Sequence, residues 1–134
     1  PNLSLGANVT QISAGWAHTC ALLSTGAVRC WGYNGYGQLG IGNNNDVTNA
    51  NTTSNLNLGN NATSVILGVV HSCALLSTGA VKCWGNNSSG QLGVGNTNTI
   101  NDASATTSYL FAYVYEVIRD WLLAIGTLSF SGNS

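Results

Sequence analysis

The chain has 134 residues, which is the size of one ordinary domain. It contains three Lys or Arg and four Asp or Glu, and its formal net charge is −1. So few positive charges exclude the basic surface with which nucleic-acid-binding domains contact phosphate. No run of like charges indicates a disordered tail or a polybasic membrane-binding segment.

An internal repeat dominates the chain. The stretch HTCALLSTGAVRCWG at 18–32 returns as HSCALLSTGAVKCWG at 71–85, with 13 of 15 positions identical and an offset of 53 residues. Over 2–42 and 55–95, 26 of 41 positions agree. The pattern predicts a first unit with its linker at 1–54, a second at 55–108 and a divergent apolar segment at 109–134.

Each unit begins with the signals of short strands. The runs VTQISAG and ATSVILG are rich in β-branched residues and end at Gly. HTCALL, a Ser-Thr-Gly connection and AVRCW then predict a hairpin in which Gly26, and Gly79 in the second unit, take the left-handed position of the turn. Asn- and Thr-rich linkers follow. Several short strands at this period predict an all-β fold of propeller blades in an incomplete ring.

The hairpin register gives the four cysteines a role. A three-residue loop places Cys20 opposite Cys30, and Cys73 opposite Cys83, at non-hydrogen-bonded pairs. Opposed Cα atoms at such pairs are about 4.5 Å apart, within reach of a disulfide. We therefore predict one disulfide within each unit, which favours an oxidising compartment. The alternatives are reduced cysteines that face each other, a metal site with the nearby histidines, and a reactive thiolate.

His18 and His71 begin the second strand of each unit, directly after a Gly-containing bend. No carboxylate recurs with the repeat to orient a catalytic imidazole, so we expect both rings to hydrogen-bond backbone at a blade corner. Trp31 and Trp84 end the hairpins and are expected to fill the space between sheets. The Gly-x-Gly-x-x-Gly match at 35–40 opens no helix and indicates turns rather than a dinucleotide site. We expect no catalytic residue, metal or cofactor.

The two units differ most on either side of the hairpin. Scaffold positions must repeat because each blade packs in the same way, whereas recognition positions have no such requirement. We predict that Tyr33 and Tyr36 are largely exposed and form part of a contact surface, either for a protein partner or for a neighbouring copy. Trp16 we interpret as filling a gap in the core of its own unit.

Six Asn-x-Ser/Thr sequons make glycosylation a further expectation, although a chain this rich in Asn, Ser and Thr also produces such triplets by chance. The sequons start at Asn2, Asn8, Asn51, Asn61, Asn86 and Asn87.

The order of Gly, His, Ala-Leu, turn Gly, Trp-Gly and Gly-Gln-Leu-Gly in GWAHTCALLSTGAVRCWGYNGYGQLGIG resembles the repeat of the regulator of chromosome condensation superfamily. The resemblance covers about 2–96 and implies seven-bladed propellers of four-stranded blades, with the His, Cys and Trp landmarks as scaffold. The cysteine-bearing version resembles the secreted or surface-exposed branch of bacteria and protists. Other members of the family are secreted binding proteins, and a β-lactamase inhibitor is one of them. The founding member's nucleotide exchange and chromatin binding are not expected here, because this chain lacks the basic character.

Residues 109–125 break the repeat. Glu116, Arg119 and Asp120 fall on one helical face and the rest is apolar, which favours an amphipathic helix packed on the open side of the last blade. A strand pair and an end that is not the natural continuation are the alternatives. Three charges within 17 residues exclude a membrane span.

Two units cannot close a ring of six or seven blades. We therefore expect either that the chain is an excerpt of a longer protein or that several copies associate to supply the missing blades. The chain begins at Pro1 without a secretion-signal pattern, so we expect it to be either processed or an excerpt. The leading functional hypothesis is a non-enzymatic protein-binding or assembly module, extracellular or at the cell surface. The alternatives are a structural subunit of an extracellular fibre or surface layer, and an enzyme that uses His18 and His71 at a shared cleft.

Overall fold

The computed structural model describes residues 2–106 and 118–125. Each sequence unit forms a three-stranded antiparallel sheet whose strands are neighbours in chain order. The first sheet contains β1 (Val9–Ala14), β2 (His18–Leu23) and β3 (Val28–Gly32), and the second contains β4 (Ala62–Leu67), β5 (His71–Leu76) and β6 (Val81–Gly85). The remaining regular structure of 2–106 is two single 3₁₀ turns, Ala50–Thr52 and Ala103–Ala105.

The hairpins have the predicted register. Leu22 pairs with Val28 and Cys20 with Cys30, and the second hairpin repeats this arrangement 53 residues later. The turn requires a left-handed residue, and Gly26 has φ +86°. Because the turn fixes the register, the spacing of the cysteines was sufficient to place them opposite each other.

The expectation of four-stranded blades is wrong for the described residues. The fourth position of each blade is reduced to one bridge, which joins Gly32 to Val47 in the first unit and Gly85 to Ile100 in the second. Val47 and Ile100 are isolated apolar residues within Asn- and Thr-rich linkers. Such linkers satisfy their backbone through side-chain oxygens and turns, so the pairing does not extend beyond the apolar residue.

The main core lies between the two sheets. Leu22 and Val28 of the first sheet are buried together with Val65, Ala74 and Trp84 of the second. A smaller cluster around Leu5, Ala21, Leu23 and Ala50 lies on the other side of the first sheet. The alternation of side chains along each strand therefore gives every blade two packing faces, one for each neighbouring blade.

Residues 118–125 are helical, which confirms the helix for this part of the divergent segment. All eight residues are exposed, so the predicted packing against the last blade is not seen for them. The rest of the predicted helix, with Glu116, lies outside the described residues. Within 2–106 and 118–125, no helix has both the length and the apolar character needed to cross a membrane.

Candidate functional site

Both predicted disulfides are formed, Cys20 with Cys30 and Cys73 with Cys83, across Cα–Cα distances of 4.1 Å. No cysteine is free. The two bridges differ in surroundings, because the first is buried between the sheets while the second is only half-buried. Each disulfide therefore links the two paired strands of its own hairpin covalently.

A chain of hydrogen bonds joins the two blades through buried polar groups. The His18 Nε2 lies 3.0 Å from the Ser72 Oγ, and the Ser72 hydroxyl donates to the Gln38 carbonyl oxygen at 2.8 Å. The same carbonyl accepts the Trp84 indole N–H at 3.0 Å. Because the serine proton is used on Gln38, Nε2 of His18 carries the proton that it donates to Ser72. The relay fixes the position of one blade on the next.

The His18 ring thus takes part in a hydrogen-bond chain between the blades, and its Nε2 partner is a serine side chain of the other blade rather than the backbone that we expected. Its Nδ1 is buried without a hydrogen-bond partner. Burial, and secondarily the neighbouring His71, lowers the pKa of His18 from 6.5 to about 4. The ring is 3% exposed and sealed between blades, so it faces no cleft that a substrate could share with His71.

Two asparagines organise the Gly-Gln-Leu-Gly loops, a role that the sequence analysis did not assign to either of them. Asn34 is fully buried, its amide donates to the carbonyls of Asn43 and Asn45, and its side-chain oxygen accepts the Leu39 N–H. Asn87 makes the matching three bonds in the second unit. The signal was present, because an unchanged Asn lies between changed neighbours in both units.

The two carboxylates of the repeat region, Asp46 and Asp102, accept hydrogen bonds from nearby backbone N–H groups and a hydroxyl. Asp46 accepts the Asn34 N–H at 2.8 Å. Asp102 accepts both the hydroxyl and the N–H of Ser104, and these bonds lower its pKa. Asp102 also lines a cleft of about 330 Å³ in which no other carboxylate and no histidine takes part. This cleft therefore lacks a second titratable group for acid–base chemistry.

Among the described residues, no cluster of three or more His, Cys, Asp or Glu side chains is placed to hold a metal ion.

Three aromatic side chains form a cluster at one end of the first blade. The rings of Trp16 and Tyr33 meet edge to face at 6.3 Å between centroids, and Tyr33 meets Tyr36 in the same way at 6.3 Å. Trp16 is 74% exposed and Tyr36 is 44% exposed. Val69 lies beside Trp16, because its carbonyl accepts the backbone N–H of Trp16 at 3.2 Å, and its side chain is also exposed.

The exposures correct two expectations. Trp16 does not fill the core, because it lies in the bend between β1 and β2, outside the sheet. Tyr36 is exposed as predicted, whereas Tyr33 is only partly so. The Tyr33 ring lies between its two aromatic neighbours and its hydroxyl end lies against Gly35, where any side chain would collide with it.

Trp84 fills the space between the sheets as expected, and it is fully buried. Trp31, its counterpart, is only partly buried, since it packs on the smaller cluster of the first sheet, which the second blade does not cover.

The sequons differ in accessibility. The side chains at four of them are exposed and that of Asn86 is partly exposed. Asn87 is fully buried and donates both of its amide hydrogens to backbone, so a glycan there would displace these bonds. The exposed asparagines are Asn2, Asn8, Asn51 and Asn61.

Two successive three-stranded blades, with their Trp and Gly-rich loops packed against each other, define a β-propeller repeat protein. The family described as regulator of chromosome condensation (RCC1) repeat matches residues 9–38 and 64–91, that is, once in each blade. The chain belongs to this repeat superfamily.

Relatives extend well beyond this chain. It is 38% identical over 87 residues to the ultraviolet-B receptor UVR8 of Arabidopsis thaliana, covering 65% of this chain and 20% of the receptor. It is 37% identical over 90 residues to the human probable E3 ubiquitin-protein ligase HERC4, covering 67% of this chain and 8% of HERC4. The chain thus spans a fifth or less of these two relatives.

Solved structures show the same fold. Human WBSCR16 superposes with a TM-score of 0.66 at 25% identity, covering 79% of this chain and 26% of that one. Prp20p of Saccharomyces cerevisiae superposes with a TM-score of 0.67 at 23% identity, covering 81% and 27% respectively. Both confirm that the two sheets are consecutive propeller blades.

Proposed function

We propose that the chain is a non-enzymatic protein-binding module and that its aromatic cluster, Trp16, Tyr33 and Tyr36 with Val69, is the contact surface for a protein partner. The observation that carries the proposal is a set of three rings in edge-to-face contact, of which Trp16 and Tyr36 are exposed. Trp and Tyr are the side chains most enriched among the residues that dominate binding energies.

Two hydrogen bonds of backbone N–H groups under the cluster recur in both units while the side chains differ. The Tyr33 N–H donates to the Ala17 carbonyl at 2.8 Å, and the Asn86 N–H donates to the Val70 carbonyl at 2.9 Å. The Tyr36 N–H is likewise bonded to the side chain of Gln38, as Ser89 is to Gln91. The aromatic rings are therefore not required for these two hydrogen bonds, which supports a role in recognition.

Prp20p, which shares the fold, binds Gsp1p and histones. A propeller of this type thus presents a protein-binding surface in that relative. For the present chain the partner is expected to be a protein with an apolar, weakly charged surface, since the described residues around the cluster offer aromatic and amide groups rather than charges.

An extracellular or cell-surface location is part of the proposal. Two disulfides stabilise the blades, and such bridges persist in oxidising compartments. Exposed sequons at Asn2, Asn8, Asn51 and Asn61 are compatible with glycosylation.

The experiment is a quantitative capture comparison with extracellular material. Wild-type chain, a Trp16→Ser/Tyr33→Ser/Tyr36→Ser variant and a Thr97→Ala control are immobilised at equal density. Each protein that both the wild type and the control retain is then purified, and its Kd is measured for all three chains. A partner with equal Kd for the triple variant refutes the aromatic cluster as its contact surface.

A further inference from the structure

The cleft of about 330 Å³ that Asp102 lines lies at the junction of the two units. Its lining comes from the Gly-rich loop and linker of the first unit, the connecting segment 52–57 and the linker of the second unit. Outside the connecting segment, the lining residues are Gly40, Ile41, Val47, Asp102 and Ser104. The walls are thus supplied by these two units alone, and the volume is at the lower end of the range for small-molecule sites.

Backbone hydrogen bonds hold the lining segments in place. Next to Asp102, the Ala103 N–H donates to the Gly40 carbonyl at 3.0 Å. In the connecting segment, the Leu56 N–H donates to the Val28 carbonyl at 2.9 Å. A side chain that enters the cleft therefore meets walls that are already ordered, which lowers the entropic cost of binding.

Asp102 brings to the cleft a negative charge that its structural role does not require. It is the N-cap of the 3₁₀ turn Ala103–Ala105, and its Oδ1 accepts both the N–H and the hydroxyl of Ser104. At the same position of the first unit, 53 residues earlier, Asn49 caps its turn with an amide oxygen. One oxygen is enough for the cap, and no hydrogen bond or ion pair from the described residues reaches Oδ2 of Asp102.

Three of the lining hydroxyls add acceptors rather than donors. The Thr52 hydroxyl donates to the Asn49 carbonyl and the Thr53 hydroxyl to the Ala50 carbonyl, each at 2.7 Å. Ser104 uses its proton on the cap. Because a hydroxyl has one proton, these oxygens can only accept from a ligand. A negative charge among acceptors favours a cation that carries several N–H donors.

The apolar part of the lining distinguishes between the two long cationic side chains. Ile41, Val47 and Leu56 are half-buried and pack against the main core. They match the methylene stem of lysine, which packs on apolar surface while the ammonium keeps polar contacts. Arginine fits less well, because its planar fork pairs with both oxygens of a carboxylate and Oδ1 of Asp102 already accepts two bonds.

Two lining amides suit the peptide groups on either side of such a lysine. The side-chain oxygen of Asn55 accepts from Nε of Arg29 at 2.8 Å. The side-chain oxygen of Asn57 accepts the Gly59 N–H at 3.3 Å. Their NH₂ groups make no hydrogen bond to the described residues, so they are available to donate to peptide carbonyls.

We infer that this cleft binds a lysine side chain of a protein partner, with the ammonium on Oδ2 of Asp102 and the stem along the three apolar side chains. The carboxylate supplies the charge, the hydroxyl oxygens accept the remaining ammonium hydrogens, and the apolar wall excludes water from the stem. The cleft shares no residue with the aromatic cluster, so the inference goes beyond the proposed function.

The test is an NMR titration of the isotope-labelled chain with Nα-acetyl-lysine N-methylamide. The amide signals of Leu56, Ala103 and Ser104 should shift saturably, with a Kd on the order of 1 mM for a ligand of this size. Nα-acetyl-norleucine N-methylamide, which has the stem without the ammonium, should bind at least about tenfold more weakly. The corresponding arginine derivative should also bind more weakly than the lysine derivative.

Asp102→Asn is the matched variant, because it gives the second unit the cap residue of the first. Its melting temperature should stay close to that of the wild type, and it should bind the lysine derivative at least about tenfold more weakly. Asp46→Asn removes the same charge from a carboxylate that does not line the cleft, so it should bind like the wild type. The Trp16→Ser/Tyr33→Ser/Tyr36→Ser chain should also bind like the wild type, so failure of either proposal leaves the other untouched.

Four results would each overturn the inference. The first is the absence of a saturable shift at about 20 mM lysine derivative, well above the expected Kd. The second is a set of shifts that lies away from the cleft. The third is wild-type affinity in a folded Asp102→Asn chain, and the fourth is an affinity for the norleucine or arginine derivative as high as that for the lysine derivative.

Discussion

The imidazole of His18 in the first blade donates from Nε2 to the hydroxyl of Ser72 in the second, over 3.0 Å. Both residues are buried, and they are 54 positions apart in the chain. This bond is the first step of the relay that ends on the Gln38 carbonyl, so it couples the local geometry of two hairpins to the packing of whole blades.

Ser72→Ala should lower the free energy of unfolding by about 1–3 kcal/mol, because it leaves the buried His18 N–H without an acceptor. Chemical denaturation at low micromolar concentration measures the change. Thr19→Ala is the matched control, since it removes the hydroxyl at the same position of the first blade, where no second blade lies against it. Equal losses for the two variants would show that the inter-blade bond contributes nothing.

Stability should depend on pH through His18. Its pKa is lowered from 6.5 to about 4 in the folded chain, chiefly by burial, so between these values the unfolded chain binds more protons than the folded chain does. The free energy of unfolding should therefore decrease by on the order of 3 kcal/mol as the pH falls from 7 to 4, and the loss from this group should level off below its folded-state pKa.

Denaturation curves of the wild type and of His18→Gln, taken across this range, test the assignment. Glutamine keeps an N–H donor for Ser72 but does not titrate, so its curve should be much flatter. The His71→Gln variant should keep most of the slope, because His71 is less buried. A His18→Gln chain with the full wild-type slope would assign the pH dependence to another group.

The two turn glycines should differ in their tolerance of alanine. Both have φ +86°, so each substitution carries the same backbone strain. At Gly26 a Cβ would lie 2.5 Å from the Cβ of Asn61 in the next blade, whereas at Gly79 it would meet nothing within 4 Å. Gly26→Ala should therefore be destabilising by about 1–3 kcal/mol more than Gly79→Ala, as measured by thermal or chemical unfolding. Equal effects would show that the contact with Asn61 yields easily.

The two disulfides should be reduced in a fixed order. Cys20 and Cys30 are buried between the blades, whereas Cys73 and Cys83 in the second blade are only half-buried. A thiolate must reach a sulfur to exchange with it, so limiting reductant at low protein concentration should open the Cys73–Cys83 bridge first. Timed alkylation with peptide mapping reports the order, and it also checks the pairing itself. Removal of either bridge should be destabilising by roughly 3 kcal/mol on the chain-entropy model.

The sequence predicted the parts of this structure that depend on local geometry. The three-residue turn fixes the hairpin register, and with it the pairing of Cys20 with Cys30. The bond from His18 to Ser72 escaped prediction because no local spacing relates residues on different blades. A fourth strand was expected from the family resemblance. The structure has a single bridge at Val47 in its place, because the linker around that residue is polar.

Only part of the candidate site could be predicted from the sequence. The difference between the units indicated Tyr33 and Tyr36 as recognition residues, since scaffold positions are held constant by repeated packing. Trp16 was misassigned because size and apolarity alone do not distinguish a core residue from an exposed anchor. Its exposure follows from the short bend at 15–17, which directs the side chain outside the sheet.

The double variant Tyr33→Ser/Tyr36→Ser should weaken association with a protein partner by about 1–4 kcal/mol while leaving folding almost intact. The loop frame does not depend on the rings, because Asn86 and Ser89 make the same backbone hydrogen bonds in the second unit. Association is measured by titration calorimetry against the captured partner, and folding by the melting temperature.

The control for this pair is Asn86→Tyr/Ser89→Tyr, which places the same rings on the other blade without the Trp16 neighbour. If the cluster acts as a unit, this change alone should add little affinity, because a single edge-to-face pair lacks the exposed indole that completes the surface of the first blade. A steep fall in the melting temperature of the double serine variant, with association unchanged, would mean instead that Tyr33 and Tyr36 hold the first blade together, and the aromatic cluster would then be part of the scaffold.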